Sequence, residues 1–207
     1  TYSIYIFKQI CYTHLNGVFM DSIIIVGMKH SGKSSLGKGL ATNLSIPFFD
    51  TDAIIEEQTK LPVRQLFVEK GESAFKNAEV ESCKFLKNQF QNNTSLVIAT
   101  GGGICDNPEA IKILKSIGKF VLLNVPEKTC LERILHNSQK TGSLPGYISR
   151  ENPKSQEDIE NIFHRFYERR MKSYKEICDF EFYPNSVASK SQNTKEFVKF
   201  YQNTFPF

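Results

Sequence analysis

Short apolar runs alternate with amphipathic stretches along most of the chain. Ile23-Ile24-Ile25-Val26 reads as a buried, β-branched strand. Leu36, Leu40, Ala41 and Leu44 then give a helical stripe that Pro47 closes. Phe48-Phe49-Asp50-Thr51-Asp52 reads as a second strand ending in two carboxylates, and residues 53–59 follow as a helix. Pro62 opens a short helix over 63–70, stopped by Gly71. A longer helix spans 72–91, with Phe75, Ala78, Ser82, Phe85 and Leu86 on one side and Gln91-Asn92-Asn93 closing it. Ser95-Leu96-Val97-Ile98-Ala99 is a third strand. Asn107-Pro108-Glu109 starts a helix that Gly118 ends, and residues 120–125 form a fourth strand. Pro126 starts a helix to about His136, and 158–177 is another. Phe180-Glu181-Phe182 is a last short strand, and Asn193-Thr194 cap a final helix to about Asn203. Strands alternating with helices predict an α/β fold with a parallel sheet covered on both faces. No repeat and no second domain are visible.

Residues 137–157 stand apart. They lack periodicity and carry Gly142, Pro145, Gly146 and Pro153, as a functional loop would.

The first strand runs directly into Gly27-Met28-Lys29-His30-Ser31-Gly32-Lys33-Ser34, a G-x-x-x-x-G-K-S sequence, and then into a helix. Glycines at both ends let the backbone turn its N–H groups inward, and the helix adds its positive end at the same point. Lys33 is expected to reach the outer phosphates of a nucleoside triphosphate, and the Ser34 hydroxyl to ligate Mg²⁺. Gly27, His30, Ser31, Gly32, Lys33, Ser34 and Ser35 are the nucleotide-binding candidates.

Composition narrows the class only a little. The 207 residues are 40% hydrophobic and 23% charged, ordinary for a globular domain with its own core. The net charge of +4 is spread rather than gathered in a stripe, so nucleic acid is not indicated. No apolar run reaches membrane-spanning length. Five cysteines, an odd number without C-x-x-C spacing, fit a reduced cytoplasmic interior. The four histidines have no metal-ligand spacing among themselves or with the cysteines. Met20 is the expected natural start, with residues 1–19 an extension and 20–207 a single domain.

Asp50 and Asp52, two apart at a strand's carboxyl end, are expected on one side, in the crevice where Lys33 and Ser34 emerge. One carboxylate can help to hold Mg²⁺ and the other can take a proton from a substrate hydroxyl; capping alone would also explain one of them. Gly101-Gly102-Gly103 follows the third strand, where a ligand must come close to the main chain. Ile159, Phe163, Phe166, Arg170, Tyr174 and Ile177 form one helical stripe with an arginine in its middle. A buried guanidinium needs an anion, either a structural carboxylate or a substrate. Arg169 is expected to face solvent. On spacing alone, Lys76 belongs to a helix-surface ion pair with Glu72 or Glu79.

In this order the motifs resemble the shikimate kinase family, part of the nucleoside-monophosphate-kinase-like group of phosphate-loop proteins. The resemblance covers roughly residues 22–178. It rests on the phosphate loop, Phe49-Asp50-Thr51-Asp52, Phe75-Lys76-Asn77-Ala78-Glu79, the glycine triplet and Arg170-Met171-Lys172-Ser173-Tyr174-Lys175-Glu176. It implies a three-layer fold with five parallel strands, ATP and Mg²⁺, and phosphoryl transfer to the 3-hydroxyl of shikimate by a cytoplasmic monomer. By it, Ser34 and Asp50 serve the metal and Lys33 steadies the transferred group. Asp52 acts as base and contacts the ring hydroxyls. Lys76, Gly101, Gly102, Gly103 and Arg170 bind the acceptor, and 137–157 is a mobile lid.

The chain departs from the family twice. Lysine stands at 76, where the family's arginine clamps the acceptor carboxylate, and Leu144 stands where the lid arginine belongs. Lys140, Arg150 and Lys154 are alternative lid cations, and Arg133 is a candidate near the adenine. Two rival readings follow: a related small-molecule kinase with another acceptor, and a non-catalytic nucleotide-binding relative.

Overall fold

The computed structural model describes residues 21–91 and 95–205. The expected extension at 1–19, its Met20 start and the Asn92-Asn93 helix end lie outside them. Five parallel strands are ordered β2-β3-β1-β4-β5: β1 Ser22–Val26, β2 Phe48–Asp50, β3 Val97–Ala99, β4 Gly118–Leu123 and β5 Phe180–Phe182.

The near-continuous apolar runs follow from burial on both faces. Along β1, Ile24 and Val26 join one core cluster while Ile23 and Ile25 join the other. The first cluster takes in α3 Val63–Phe90, α4 Pro108–Lys115, α5 Glu127–Thr141 and α7 Gln156–Ile177. The second is covered by α1 Lys33–Leu44 and α8 Lys190–Thr204. The remaining helices are α2 Thr51–Thr59 and the single turn α6 Gly146–Ser149. No described helix is long and apolar enough to cross a membrane.

Several boundaries differ from expectation, each for a local reason. Asp52 is not on a strand. The Asp50 carboxylate accepts the Asp52 backbone N–H at 3.0 Å, so β2 ends there and Asp52 sits in the first turn of α2. The helix stops at Lys115, and Gly118 instead opens β4 by pairing with Ser22 of β1, where a Cβ would stand 2.1 Å from the Ser22 carbonyl oxygen. The expected break at Gly71 is present: its φ of 83° and ψ of 175° are non-helical and divide α3 into two helical segments. Beyond it, Val80, Cys83 and Leu86 are buried while Phe85 is exposed. The stretch 137–157 is not a structureless loop: α5 runs on to Thr141 until Gly142 takes a left-handed φ of 66°, and α6 follows. A Ser155–Asp158 capping box starts α7. Ser189, not Asn193, caps α8, and buried Asn193 instead binds the Asn185 backbone.

Candidate active site

The carboxyl ends of β1, β2 and β3 open into a cleft of about 740 Å³. This is the edge where a doubly wound sheet places its ligands. The phosphate loop forms one wall, with φ of 140° at Gly27, 63° at His30 and 103° at Gly32. Lys33 is only 7% exposed, and its ammonium donates to the Gly27 and Met28 carbonyls at 2.9 Å each. Burial pulls its pKa down to about 8, against the attraction of Asp52 and Asp50. His30 is held below its ordinary value by burial and then by Lys29, Lys33 and Arg133. The Ser31 hydroxyl is buried, lines the cleft and has no protein partner, as a group awaiting an anion would be. Ser35 lines the same wall, and Arg133 donates to the His30 carbonyl at 3.0 Å.

Ser34 Oγ donates to Asp50 Oδ2 at 2.5 Å. This pair of adjacent oxygens at the cleft wall fits a hard divalent cation such as Mg²⁺. Asp52 opens into the cleft beside them, its carboxyl pKa raised by burial and then by Asp50, with Lys33 pulling the other way.

The glycine triplet has a steric reason at each residue. A Cβ on Gly101 would lie 2.7 Å from Asp52 Oδ1, one on Gly102 2.7 Å from the Lys29 nitrogen, and one on Gly103 3.0 Å from Arg170 Nη2. The triplet is thus the floor on which the acid, the phosphate loop and the guanidinium meet. Arg170 is buried, as the α7 stripe predicts, and its anion is Asp106. Nε and Nη2 donate to Asp106 Oδ2 at 3.1 and 2.9 Å, and Nη1 to the Gly102 carbonyl at 3.1 Å. The plane also lies over Tyr147, 4.8 Å from its ring centre. Arg169 is largely exposed and shares Asp106.

Lys76 is not brought into the cleft lining. It pairs with Glu72 at 3.0 Å on the helix surface, as its spacing alone predicts. Arg150 reaches the same Glu72 at 3.0 Å and covers the Phe67 ring at 4.3 Å, fastening the α6 end to α3. Of the alternative lid cations, Lys140 lines the cleft, and Arg150 and Lys154 do not.

A family model described as shikimate kinase matches residues 29–202. The chain belongs to the shikimate kinase family. A shikimate kinase of Aquifex aeolicus is 34% identical over 148 residues, 72% of this chain and 79% of that relative. The crystal structure of shikimate kinase from Aquifex aeolicus superposes with a TM-score of 0.65 at 28% identity, covering 88% of this chain and 97% of that one. The fold is shared too with a shikimate kinase from Acinetobacter baumannii solved in complex with shikimate, at a TM-score of 0.72 and 24% identity over 91% of this chain and 96% of the other.

Around the cleft, reading the sequence assigned no site role to three residues. Asp106 lies three residues past the triplet, in the 3₁₀ turn Ile104–Asp106, and only the placement of α7 reveals its role. Glu79 is buried behind Gly101, with Oε2 accepting from Asn107 at 3.0 Å and Oε1 unpartnered; burial raises it to about 7. Arg64, in the first turn of α3, lines the cleft with Val63, Phe67 and Phe75.

Proposed function

We propose that this cleft transfers the γ-phosphoryl group of ATP to the 3-hydroxyl of shikimate, with the triphosphate on the loop of residues 27–35 and the acceptor over the glycine triplet. Membership of the shikimate kinase family makes the chain an ATP-dependent phosphotransferase acting on an alcohol. The observation that supports the finer reading is convergence. Lys33, Asp52 and Arg170 open into one hollow, with Gly101 and Gly103 packed against the last two.

The acceptor hydroxyl gives its proton to Asp52 as its oxygen bonds to the γ-phosphorus, and the bond to the β-phosphate oxygen breaks to release ADP. Lys33 leaves its carbonyl partners for the charge developing on the transferred group. Ser34 and Asp50 hold Mg²⁺, which neutralises phosphate charge when bound. The raised Asp52 pKa makes it a stronger base than an exposed aspartate. Residues 137–157 act as a lid, and α6 packed on α3 keeps water from the transferring group. Residues 20–207 work as a single domain and a monomer.

ADP release measured with shikimate, with other hydroxy acids and with no acceptor tests the reading. Shikimate-dependent turnover is expected. Turnover only with another acid assigns a different acceptor, and nucleotide binding without turnover makes the chain a non-catalytic relative.

A further inference from the structure

The cations around the acceptor end of the cleft differ in how far they are committed. Three of the donors on Arg170 are engaged by Asp106 and Gly102. Lys76 and Arg150 share Glu72. On the opposite wall, Lys33 and Arg133 are bound to loop carbonyls. Lys29, Lys140, Lys190 and Arg64 line the cleft with no hydrogen bond, ion pair or ring contact from their charged ends to the described residues, and Arg64 is the guanidinium among them.

It stands next to an aromatic wall. Three residues on, and so on the same helical face, Phe67 packs edge-on to Phe75 at 5.8 Å. A Cβ added to Gly146 would stand 3.5 Å from the Phe67 ring, and Tyr147, next along α6, lies against Arg170. Arg64 therefore flanks the same aromatic wall that Arg170 closes from the other end.

We infer that Arg64 binds the carboxylate of the acceptor acid, taking the place of the side chain at 76, which pairs with Glu72 outside the cleft lining. This rests on the proposed function, since shikimate is a carboxylic acid. A free guanidinium offers a carboxylate two parallel N–H donors, which the Lys76 ammonium cannot match even if released.

The test is steady-state ADP release by the full chain with shikimate and with its neutral methyl ester, for wild type, Arg64→Ala, Arg64→Gln, Arg64→Lys and Lys76→Ala. Arg64→Ala and Arg64→Gln are expected to raise KM for shikimate about tenfold, as loss of a charge-assisted pair does. Their KM for the ester and for ATP should move less than about twofold on the same reasoning. Arg64→Lys should fall between. Thermal melting of each variant checks that the fold is kept. A wild type active on shikimate whose Arg64 variants keep the acid-to-ester preference overturns this inference alone. So does a KM rise shared by ATP, or one carried by Lys76→Ala instead. A wild type that turns over neither acceptor overturns the proposed function and this assignment with it.

Discussion

On the nucleotide side of the cleft, Lys33 is 7% exposed, its ammonium held by two main-chain carbonyls, and Ser34 and Asp50 are locked at 2.5 Å. Outside the cleft lining, where α6 meets α3, Lys76, Glu72 and Arg150 meet with side chains 38%, 48% and 51% exposed. The first set is fixed by backbone geometry and burial, which nothing nearby can substitute. The second is fixed by ion pairs in water, each worth about 0–1 kcal/mol. On the proposed reading, the groups that serve the nucleotide are held by buried and backbone contacts, and the pairs that fasten the α6 end to α3 are weak enough to open. That division suits an enzyme that must close over its substrate and let go of its product.

The sharpest way to break this comparison is at Asp52, which opens into the cleft beside Ser34 and Asp50. Asp52→Asn removes the proposed proton acceptor but keeps the shape above Gly101. It is expected to retain ATP binding while kcat falls about 10³-fold, the size of a general-base contribution. Equilibrium nucleotide binding and steady-state turnover check the two halves separately. A nearly unchanged rate would remove Asp52 as the base, and lost ATP binding would mean that binding and chemistry are not separable.

A second, smaller effect comes from Glu79, buried behind Gly101. Its pKa is about 7 folded against an ordinary 4.5, so the folded chain holds more protons between those values. Stability from this group is therefore full below about pH 4.5, falls as pH rises toward about 7, and levels off above. Glu79→Gln should flatten that slope and stabilise the chain at pH 8 by on the order of 2 kcal/mol. Urea unfolding at pH 5 and pH 8 measures it. An equal loss at both values would mean that the Asn107 contact, not the buried charge, dominates.

The same division decides what could be read from the chain. The phosphate loop, the triplet and the Asp50–Asp52 pair are local patterns, each spelled out within a few residues that also set the backbone there. Arg170 was legible because helical spacing alone puts it on a buried face. Its partner was not: Asp106 is chosen by the docking of α7 over the 3₁₀ turn, a relation between residues 64 positions apart. Whether Lys76 turns into the cleft or along the helix depends on Glu72, and Glu72 is also claimed by Arg150 from 78 residues away. Residues 137–157 misled because glycine and proline signals mark where helices end, and here α5 runs on to Thr141 and one short helix, α6, follows. Arg64 carries no motif; only the packing of Phe67 against Phe75 and α6 shows what it faces.

The weakest contacts give the finest test of the α6 end. Glu72→Gln withdraws the shared carboxylate from Lys76 and Arg150 together, leaving Arg150 only its ring contact with Phe67. Because the pairs are exposed, the penalty is small, and the lid is expected to open more often rather than come apart. ATP hydrolysis without acceptor should rise about two- to fivefold, the range that 0.5–1 kcal/mol allows. The melting temperature should hardly move. Salt supplies the control: at about 1 M the Debye length is near 3 Å, so wild type should leak ATP almost as the variant does. A variant that leaks no more than wild type at low salt would show that Phe67 and Tyr147 alone keep the lid down. The α6 end would then be held by ring packing, and its contrast with the nucleotide side would lie in the kind of surface buried rather than in the strength of the pairs.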